Sequence, residues 1–488
     1  MARSTNFLKW FVPGFLAVVL LASCGGGGGG TTTGSGVTIV GQVAGSTFVA
    51  VDDGTNAEVR RAVAGGTPKG FVMTVPAGAS YRFYLLENES AGSGARVYPY
   101  YSGGMNVFRM ADNAAGTTIA LGSVAPDFAT GHAASVNAMA GFAGVTPMGI
   151  GLGMPTTLAG AAFSPGDMAG SWRFGTLAVS GTMAWTRGTL AVDNSGIGTM
   201  TGVVRNGAAV PNVGGIPYAM SPSGMFHVTG DASFEGVMSR DKGMMAANFT
   251  DNTGGSAMMF ARRNGTTYSL SDIDGAWTFH RMNAGVDNAA AGWAWGTMSV
   301  TGGVGTVTAI ATSSGSTAEL GRTFPFAMTL GGVLTESTNA AFEGAMSPDK
   351  GMVAATDNVS GHPAMWILVR AGSAFGMADL SGDWLMNGLV AGNAGSRAWM
   401  TGQDVIDLSG VMNVPQMTGP SGAMSMAQST LSMNAGGGVT MSGMAGGGMM
   451  MGSTVVRTFH ATMASSKGLM VSTYSDGTGG HRLALQMK

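Results

Sequence analysis

Charge is scarce in this chain. Its 488 residues hold 24 Lys and Arg against 26 Asp and Glu, 10% charged in all, for a formal net charge of −2. The charges are spread without blocks, which excludes a basic nucleic-acid footprint and a polybasic patch for a membrane surface. Cysteine occurs once, at Cys24, so there is no disulfide framework and no C-x-x-C pair. Trp10 to Ala22 is an apolar run interrupted by Pro13; it is too short to cross a bilayer as a helix, which takes about 20 residues. No later stretch carries helical periodicity. Also missing are a G-x-S-x-G elbow, an H-E-x-x-H pair and a phosphate-binding loop. The six histidines, His132, His227, His280, His362, His460 and His481, lack ligand spacing and equivalent repeat positions, and they read as surface or turn residues. No catalytic residue, cofactor or enzymatic activity is assigned from these absences.

What is present begins at the amino terminus. Arg3 and Lys9 precede the apolar run, and small residues follow it, the layout of an export signal. Leu21-Ala22-Ser23-Cys24 resembles the lipobox of bacterial lipoproteins. That resemblance implies a signal peptide over residues 1–23, cleavage before Cys24, and a diacylglycerol (palmitate-type) anchor on the Cys24 thiol with acylation of the new amino group. Two or more acyl chains give stable membrane anchoring where one does not. Gly25 stands where an aspartate would favour the inner membrane, so the resemblance implies the outer membrane; which face stays open. Residues 24–36 hold Cys24 and then only Gly, Thr and Ser, with no side chain to pack. They read as a tether with an end-to-end distance of roughly 20 Å.

Glycine is abundant, with 83 residues, yet apolar residues make up 45%. Glycines recur between short alternating apolar stretches, the pattern of many turns joining many strands. Residues 37–126 read as a first β unit. Gly41, Val43, Phe71, Val75, Pro76, Gly78 and Tyr81 match the order G-x-V, then F-x-x-x-V-P-x-G-x-Y, and so the unit resembles the carboxypeptidase-regulatory-like, transthyretin-like β-sandwiches. Pro76 and Gly78 mark a tight turn, with Tyr81 packing on the sandwich. Residues 127–162, rich in Ala, Gly and Met, read as a connector.

From residue 163 the chain repeats itself. Phe163-x3-Asp167-Met168-x-Gly170-x-Trp172 returns at Tyr268 to Trp277 and at Phe375 to Trp384, with the tryptophans 105 and 107 residues apart. A W-x-x-G turn at Trp185, Trp293 and Trp399, a K-G turn at Lys242, Lys350 and Lys467, and a glycine loop opened by Asp251, Asp357 and Asp476 keep the same order. The repeats are 163–267, 268–374 and 375–488, closed by Arg263, Arg370 and Lys488. Each divides into about eight short strands, which predicts an all-β chain: an N-terminal sandwich, then three antiparallel meanders. Eight-stranded up-and-down barrels are one closure, and a six-bladed propeller is the alternative. Gly-x-Trp at the opening and a basic residue on the last strand resemble the lipocalin-like barrels. The resemblance implies that Arg263, Arg370 and Lys488 stack across Trp172, Trp277 and Trp384.

The repeated aspartates lie beside turn glycines and read as turn starters. Methionine, 39 residues, is the most unusual feature. Met238, Met346 and Met463 fall at equivalent strand positions and read as core packing. Met449, Met450 and Met451 are the place to look for a soft-metal site, although no metal is assigned. The expected function is a lipid-anchored, non-enzymatic binding or scaffold protein of the cell envelope, with the membrane and an unidentified ligand, polymer or protein as partners and no nucleic acid. A carrier of small apolar ligands in the barrels is one alternative, and a hydrolase of envelope polymers is another.

Overall fold

In Gly70–Pro76 every second residue, Phe71, Met73 and Val75, is buried and the rest are exposed, the period-two signature of a strand with one wet face. The computed structural model describes residues 36–149 and 163–488, apart from 44–45, 66–68, 89–94, 128–131, 222–223, 266, 393–397, 407–408, 420–421, 425–427, 446–457 and 476–479. No helix among the described residues is long and apolar enough to cross a membrane.

The first unit is two sheets over one core. A four-stranded sheet runs in the order Gly70–Pro76, Gly36–Val43, Thr118–Asp127, His132–Ser135. The larger sheet runs Val145–Gly149, Val107–Met110, Ser80–Asn88, Ser46–Asp52, Glu58–Val63, with Ala95–Pro99 also paired to Ser80–Asn88. Phe48, Phe71, Phe83, Tyr100 and Phe108 meet between them as ring contacts. Gly78 takes φ +82° in the turn after Pro76, and the Tyr81 hydroxyl donates to the Pro76 carbonyl at 3.0 Å. The expected connector needs correction. His132–Ser135 pairs with Thr118–Asp127, and Val145–Gly149 pairs with Val107–Met110, so the sandwich continues to Gly149. Its glycines and alanines hid two short edge strands.

Each repeat closes as an eight-stranded antiparallel barrel, not as propeller blades. The second barrel comprises Gly275–Asn283, Gly292–Thr301, Val304–Thr312, Thr323–Met328, Val333–Glu336, Asn339–Met346, Met352–Val359 and His362–Arg370. Each strand pairs with the next, and Trp277 on the first opposes Arg370 on the last. The first barrel opens with Gly170–Ala178 and Ala184–Val192 and ends with Met244–Thr250 and Ser256–Arg263, while Ala208–Ala209 hangs from its third strand. The third opens with Gly382–Ala391 and Ala398–Ile406 and ends with Leu469–Ser475 and His481–Met487. Inward residues pack all three lumens, with Trp384, Ile406, Leu431 and Met470 in the third. Trp172, Phe174, Tyr218, Phe226 and Phe234 pack the first; Trp277, Phe279, Phe324, Phe342 and Trp366 pack the second. Eight strands leave an interior that side chains can fill, and in the first two barrels aromatic rings do so.

The outward faces of the first, seventh and eighth strands are equally apolar. They bury one shared core: Leu177, Met244 and Phe260 from the first barrel, Met282, Met365 and Ile367 from the second, and Leu389, Leu469, Leu483 and Leu485 from the third. The contacts run head to tail in a closed cycle. The opening strands of the first barrel meet the closing strands of the second, those of the second meet the third, and those of the third return to the first. Leu485, fully buried in this core, should cost about 2–5 kcal/mol when cut to alanine. Urea titration should then show all three barrels destabilised together; a loss confined to the third barrel would contradict the shared core.

Candidate functional site

Each barrel is shut at the end where its first strand begins. A single turn precedes G-x-W, over Pro165–Met168, Leu270–Ile273 and Met377–Leu380. The aspartate of each turn accepts the backbone N–H three residues earlier, from Ser164 at 2.7 Å, Ser269 at 2.8 Å and Gly376 at 3.0 Å. Its other oxygen pairs with Lys242, Lys350 or Lys467 at 2.9, 2.9 and 3.0 Å. Burial acts to raise the Asp167 pKa, but the Lys242 and Ser164 contacts outweigh it and hold the carboxyl below its usual range. The Lys350 ammonium lowers Asp272, and Lys467 lowers Asp379. These lysines adopt φ of +58°, +58° and +59°, the left-handed conformation that aims each one back across its own barrel end. Sequence reading used the K-G turns as landmarks and missed this pairing role.

The tryptophans sit beneath these turns. Their indole N–H groups donate to the carbonyls of Met168, Ile273 and Leu380 at 2.8, 2.7 and 2.7 Å. The guanidinium of Arg263 lies 4.3 Å over Trp172, that of Arg370 lies 4.4 Å over Trp277, and the Lys488 ammonium lies 5.5 Å from Trp384. Arg263 also donates to the carbonyls of Asp167 and Ala169, and Arg370 to those of Asp272 and Asp274. Lys488 donates to the Asp379 carbonyl at 3.1 Å. A guanidinium stacks and forks where an ammonium only points, so the third closure is the looser one.

The W-x-x-G tryptophans face outward and sew the barrels together. Trp185 donates to Asn358 Oδ1 at 3.0 Å, Trp293 to Ser475 Oγ at 2.7 Å and Trp399 to Thr250 Oγ1 at 3.0 Å. Each acceptor is six residues beyond the residue after the K-G turn, so the three seams are equivalent. Their polar fillings differ. The residue five beyond the opening glycine is Gly175, His280 or Asn387. Beside Gly175, Arg173 and Arg187 share Glu343 at 2.7 and 3.4 Å, and a small cleft lies against Thr356. At the third-to-first seam, Asn387 donates to the Ala246 carbonyl at 3.4 Å and Asn248 to that of Met400 at 2.6 Å.

The middle seam corrects the expectation for the histidines. His280 is fully buried, with Nδ1 3.1 Å from Thr473 Oγ1 and Nε2 3.1 Å from Thr462 Oγ1. His460 stacks on Trp295 at 4.5 Å and 12°. His481 Nδ1 lies 3.1 Å from Ser475 Oγ, and its Nε2 donates to the Asn288 carbonyl at 3.3 Å. They lie on different strands, which is why spacing along the chain could not reveal the cluster.

The aspartate loops also need correction. Asp251 does start a turn, accepting from the N–H groups of Thr253 and Gly255 at 2.9 and 2.8 Å. Asp357 lies inside the strand Met352–Val359 and is buried in the second lumen. There it accepts from Asn339 at 2.7 Å and from the Trp366 indole at 3.2 Å, and burial pushes its pKa up. Asp476 and Met449, Met450 and Met451 lie outside the described residues. Met238, Met346 and Met463 belong to the cores of their own barrels.

The third lumen departs from the other two. Asp404 stands opposite Trp384 where Met298 opposes Trp277 and Leu190 opposes Trp172. Gln486 stands opposite Met386 where Leu368 opposes Phe279. Asp404 accepts from Gln486 Nε2 at 2.5 Å, while Asp404 Oδ1, Gln486 Oε1 and the Ser429 hydroxyl are buried with no partner among the described residues. Burial pushes the Asp404 pKa up to about 6. A buried acceptor without a donor is a cost that demands an explanation, and the third lumen is the candidate site on that ground.

No family model matches the chain, and no curated protein matches it. Among solved structures it is similar to a double mutant of transferrin binding protein B from Haemophilus parasuis Hp5, over 65% of this chain and 74% of that one, at 9% identity and a TM-score of 0.23. It is also similar to isotype 1 transferrin binding protein B from serogroup B Neisseria meningitidis, over 65% and 74%, at 12% identity and a TM-score of 0.22. A protein of unknown function from Nostoc punctiforme PCC 73102 aligns over 66% and 96%, at 11% identity and a TM-score of 0.15.

Three outcomes follow from the barrel ends and the third lumen. Arg370→Met removes the stacked charge and its contacts to the carbonyls of Asp272, Asp274 and Lys350 and should cost about 2–4 kcal/mol in urea unfolding. Lys488→Met should cost about 1 kcal/mol or less. Asp404 has a folded pKa of about 6 against about 3.9 unfolded. The native state therefore holds the extra proton between those values, and stability falls as pH rises through that window. Asp404→Asn should flatten this slope and gain about 2–3 kcal/mol at pH 7.5; an unchanged slope would contradict the assignment.

Proposed function

We propose that the protein is a lipid-anchored, non-enzymatic binding or scaffold protein of the bacterial outer membrane, tethered through Cys24 and offering its three fused barrels and sandwich to a partner outside the inner membrane. The observation that carries this reading is the pairing of filled lumens with a shared external core. Aromatic side chains occupy the first two interiors, so recognition falls to the outer surface, and the common core makes that surface one rigid platform. A platform of fixed geometry loses little conformational entropy on binding. A second reading is favoured by the third barrel, where Asp404 Oδ1 and Gln486 Oε1 have no partner among the described residues. It makes that barrel alone a carrier of a small hydrogen-bonding ligand, in place of apolar carriage by all three.

Metabolic labelling with an alkyne-bearing palmitate should mark the wild-type chain and place it in the outer-membrane fraction. Cys24→Ser should lose both label and membrane association while keeping its fold; a labelled or membrane-bound Cys24→Ser chain would rule out the anchor. Native mass spectrometry of envelope-purified protein separates the two readings. A discrete adduct lost in Asp404→Asn supports carriage, and the bare mass supports the platform alone.

A further inference from the structure

Three of the chain's six histidines converge on one of three equivalent seams. We infer that the seam between the second and third barrels is a proton-operated joint: acidification parts these two barrels at His280, His460 and His481 while each barrel stays folded.

The geometry gives the reason. His280 has both ring nitrogens met by hydroxyls, those of Thr473 and Thr462. That arrangement suits a neutral ring, with one hydroxyl donating and the other accepting, and supplies no counter-charge. His460 is flanked by Trp295 and Trp293, at 4.5 and 5.4 Å. His481 completes a relay in which the Trp293 indole donates to Ser475, the Ser475 hydroxyl donates to His481 Nδ1, and His481 Nε2 donates to the Asn288 carbonyl.

Charges on the surrounding strands point elsewhere. Arg281 pairs with Glu319 at 2.8 Å and stacks on Trp366 inside the second lumen. Arg482 lies over Tyr474 and against Met400 inside the third. The Asp287 carboxylate accepts from the N–H groups of Ala289 and Ala290. Among the described residues facing the three rings across the seam, Thr462, Thr473, Ser475, Trp293 and Trp295, none carries a charge. Burial holds His280 down to about 3, with His460 adding repulsion, and burial also lowers His460. A histidine exposed by parting the barrels returns to about 6.5. The parted state therefore binds more protons, and closure weakens as pH falls below that value. For His280 alone the closed-to-open ratio drops about 30-fold between pH 7.5 and 5.0, with the slope approaching about tenfold per pH unit only well below 6.5.

The neighbouring seams lack this sensitivity. One relies on Arg173, Arg187 and Glu343, the other on Asn248 and Asn387, and neither set contains a histidine. Burial raises the pKa of Glu235 opposite Asn248, so protonation there favours the closed seam, the reverse of the histidine effect.

Hydroxyl-radical footprinting of the full chain, read by peptide mass spectrometry, tests the joint, with far-UV circular dichroism recorded on the same samples. Between pH 7.5 and 5.0, oxidation of Trp293 should rise at least fivefold, while Trp185 in the first seam and Trp172, Trp277 and Trp384 inside the barrels stay protected. His280→Asn, which installs the residue type found at the equivalent Asn387, combined with His460→Phe, should shift the onset at least one pH unit lower. If that pair fails to fold, His460→Phe alone should still lower it. Trp293 protected down to pH 4.5, all tryptophans exposed together with loss of β signal, or an onset the substitutions leave in place would each overturn the inference.

Discussion

The structure depends on burying both faces of a few strands. A barrel can satisfy the inward face of every strand by itself, because its lumen is its own core. It cannot satisfy an outward face carrying Met282, Met365 and Ile367, or Leu469, Leu483 and Leu485. Those faces leave water only against another barrel, and three barrels close that requirement in a cycle with no seam left over. The head-to-tail contact would build an open filament if the rotation did not close. Within one chain of three repeats it closes, and each barrel gives one apolar flank and receives another.

That constraint explains which parts of the sequence were legible. The repeats and the Trp–basic pairs stood out because each rests on residues close in sequence or at fixed repeat positions, such as Gly275-x-Trp277 and Arg370. The shared core was written just as plainly. AMWILV in the second repeat is a continuous apolar run and LALQM in the third is one broken only by Gln486, both buried along their length, and such runs mark strands covered on both faces. Counting strands toward a closed barrel drew attention to alternation and away from these runs. The histidine cluster was not legible at all, since His280 and His481 meet only through the packing of separate barrels.

Asp357 shows the opposite hazard. A three-fold match of D-N-x-x-G suggested one loop in three copies. In the second repeat the strand runs one residue further, to Val359, and the aspartate, two positions earlier in the strand register than Asp251, enters the lumen. Sequence similarity followed the letters, whereas the pairing register followed Met244, Met352 and Leu469, the residues that pack. Where a motif and a hydrophobic register disagree, the register decides, because a one-residue slip would turn every buried side chain to the other face.

The three equivalent seams therefore amount to an internal comparison. The indole contact is kept in all three, at Trp185, Trp293 and Trp399, and the apolar floor is common to them. Only the polar filling at the sixth residue of the opening strand has diverged: glycine beside an arginine–carboxylate cluster, histidine between two hydroxyls, and asparagine against backbone. Stability alone does not require that divergence, since the asparagine solution fits the same geometry and carries no titrating group. Retaining a buried neutral histidine exposes one seam to a proton penalty that the other two avoid. The cost falls at the junction of the third barrel, which also has the Asp404–Gln486 pair in its lumen and the lysine closure. In this trefoil the repeats are equal in architecture, and the third is the one whose chemistry departs.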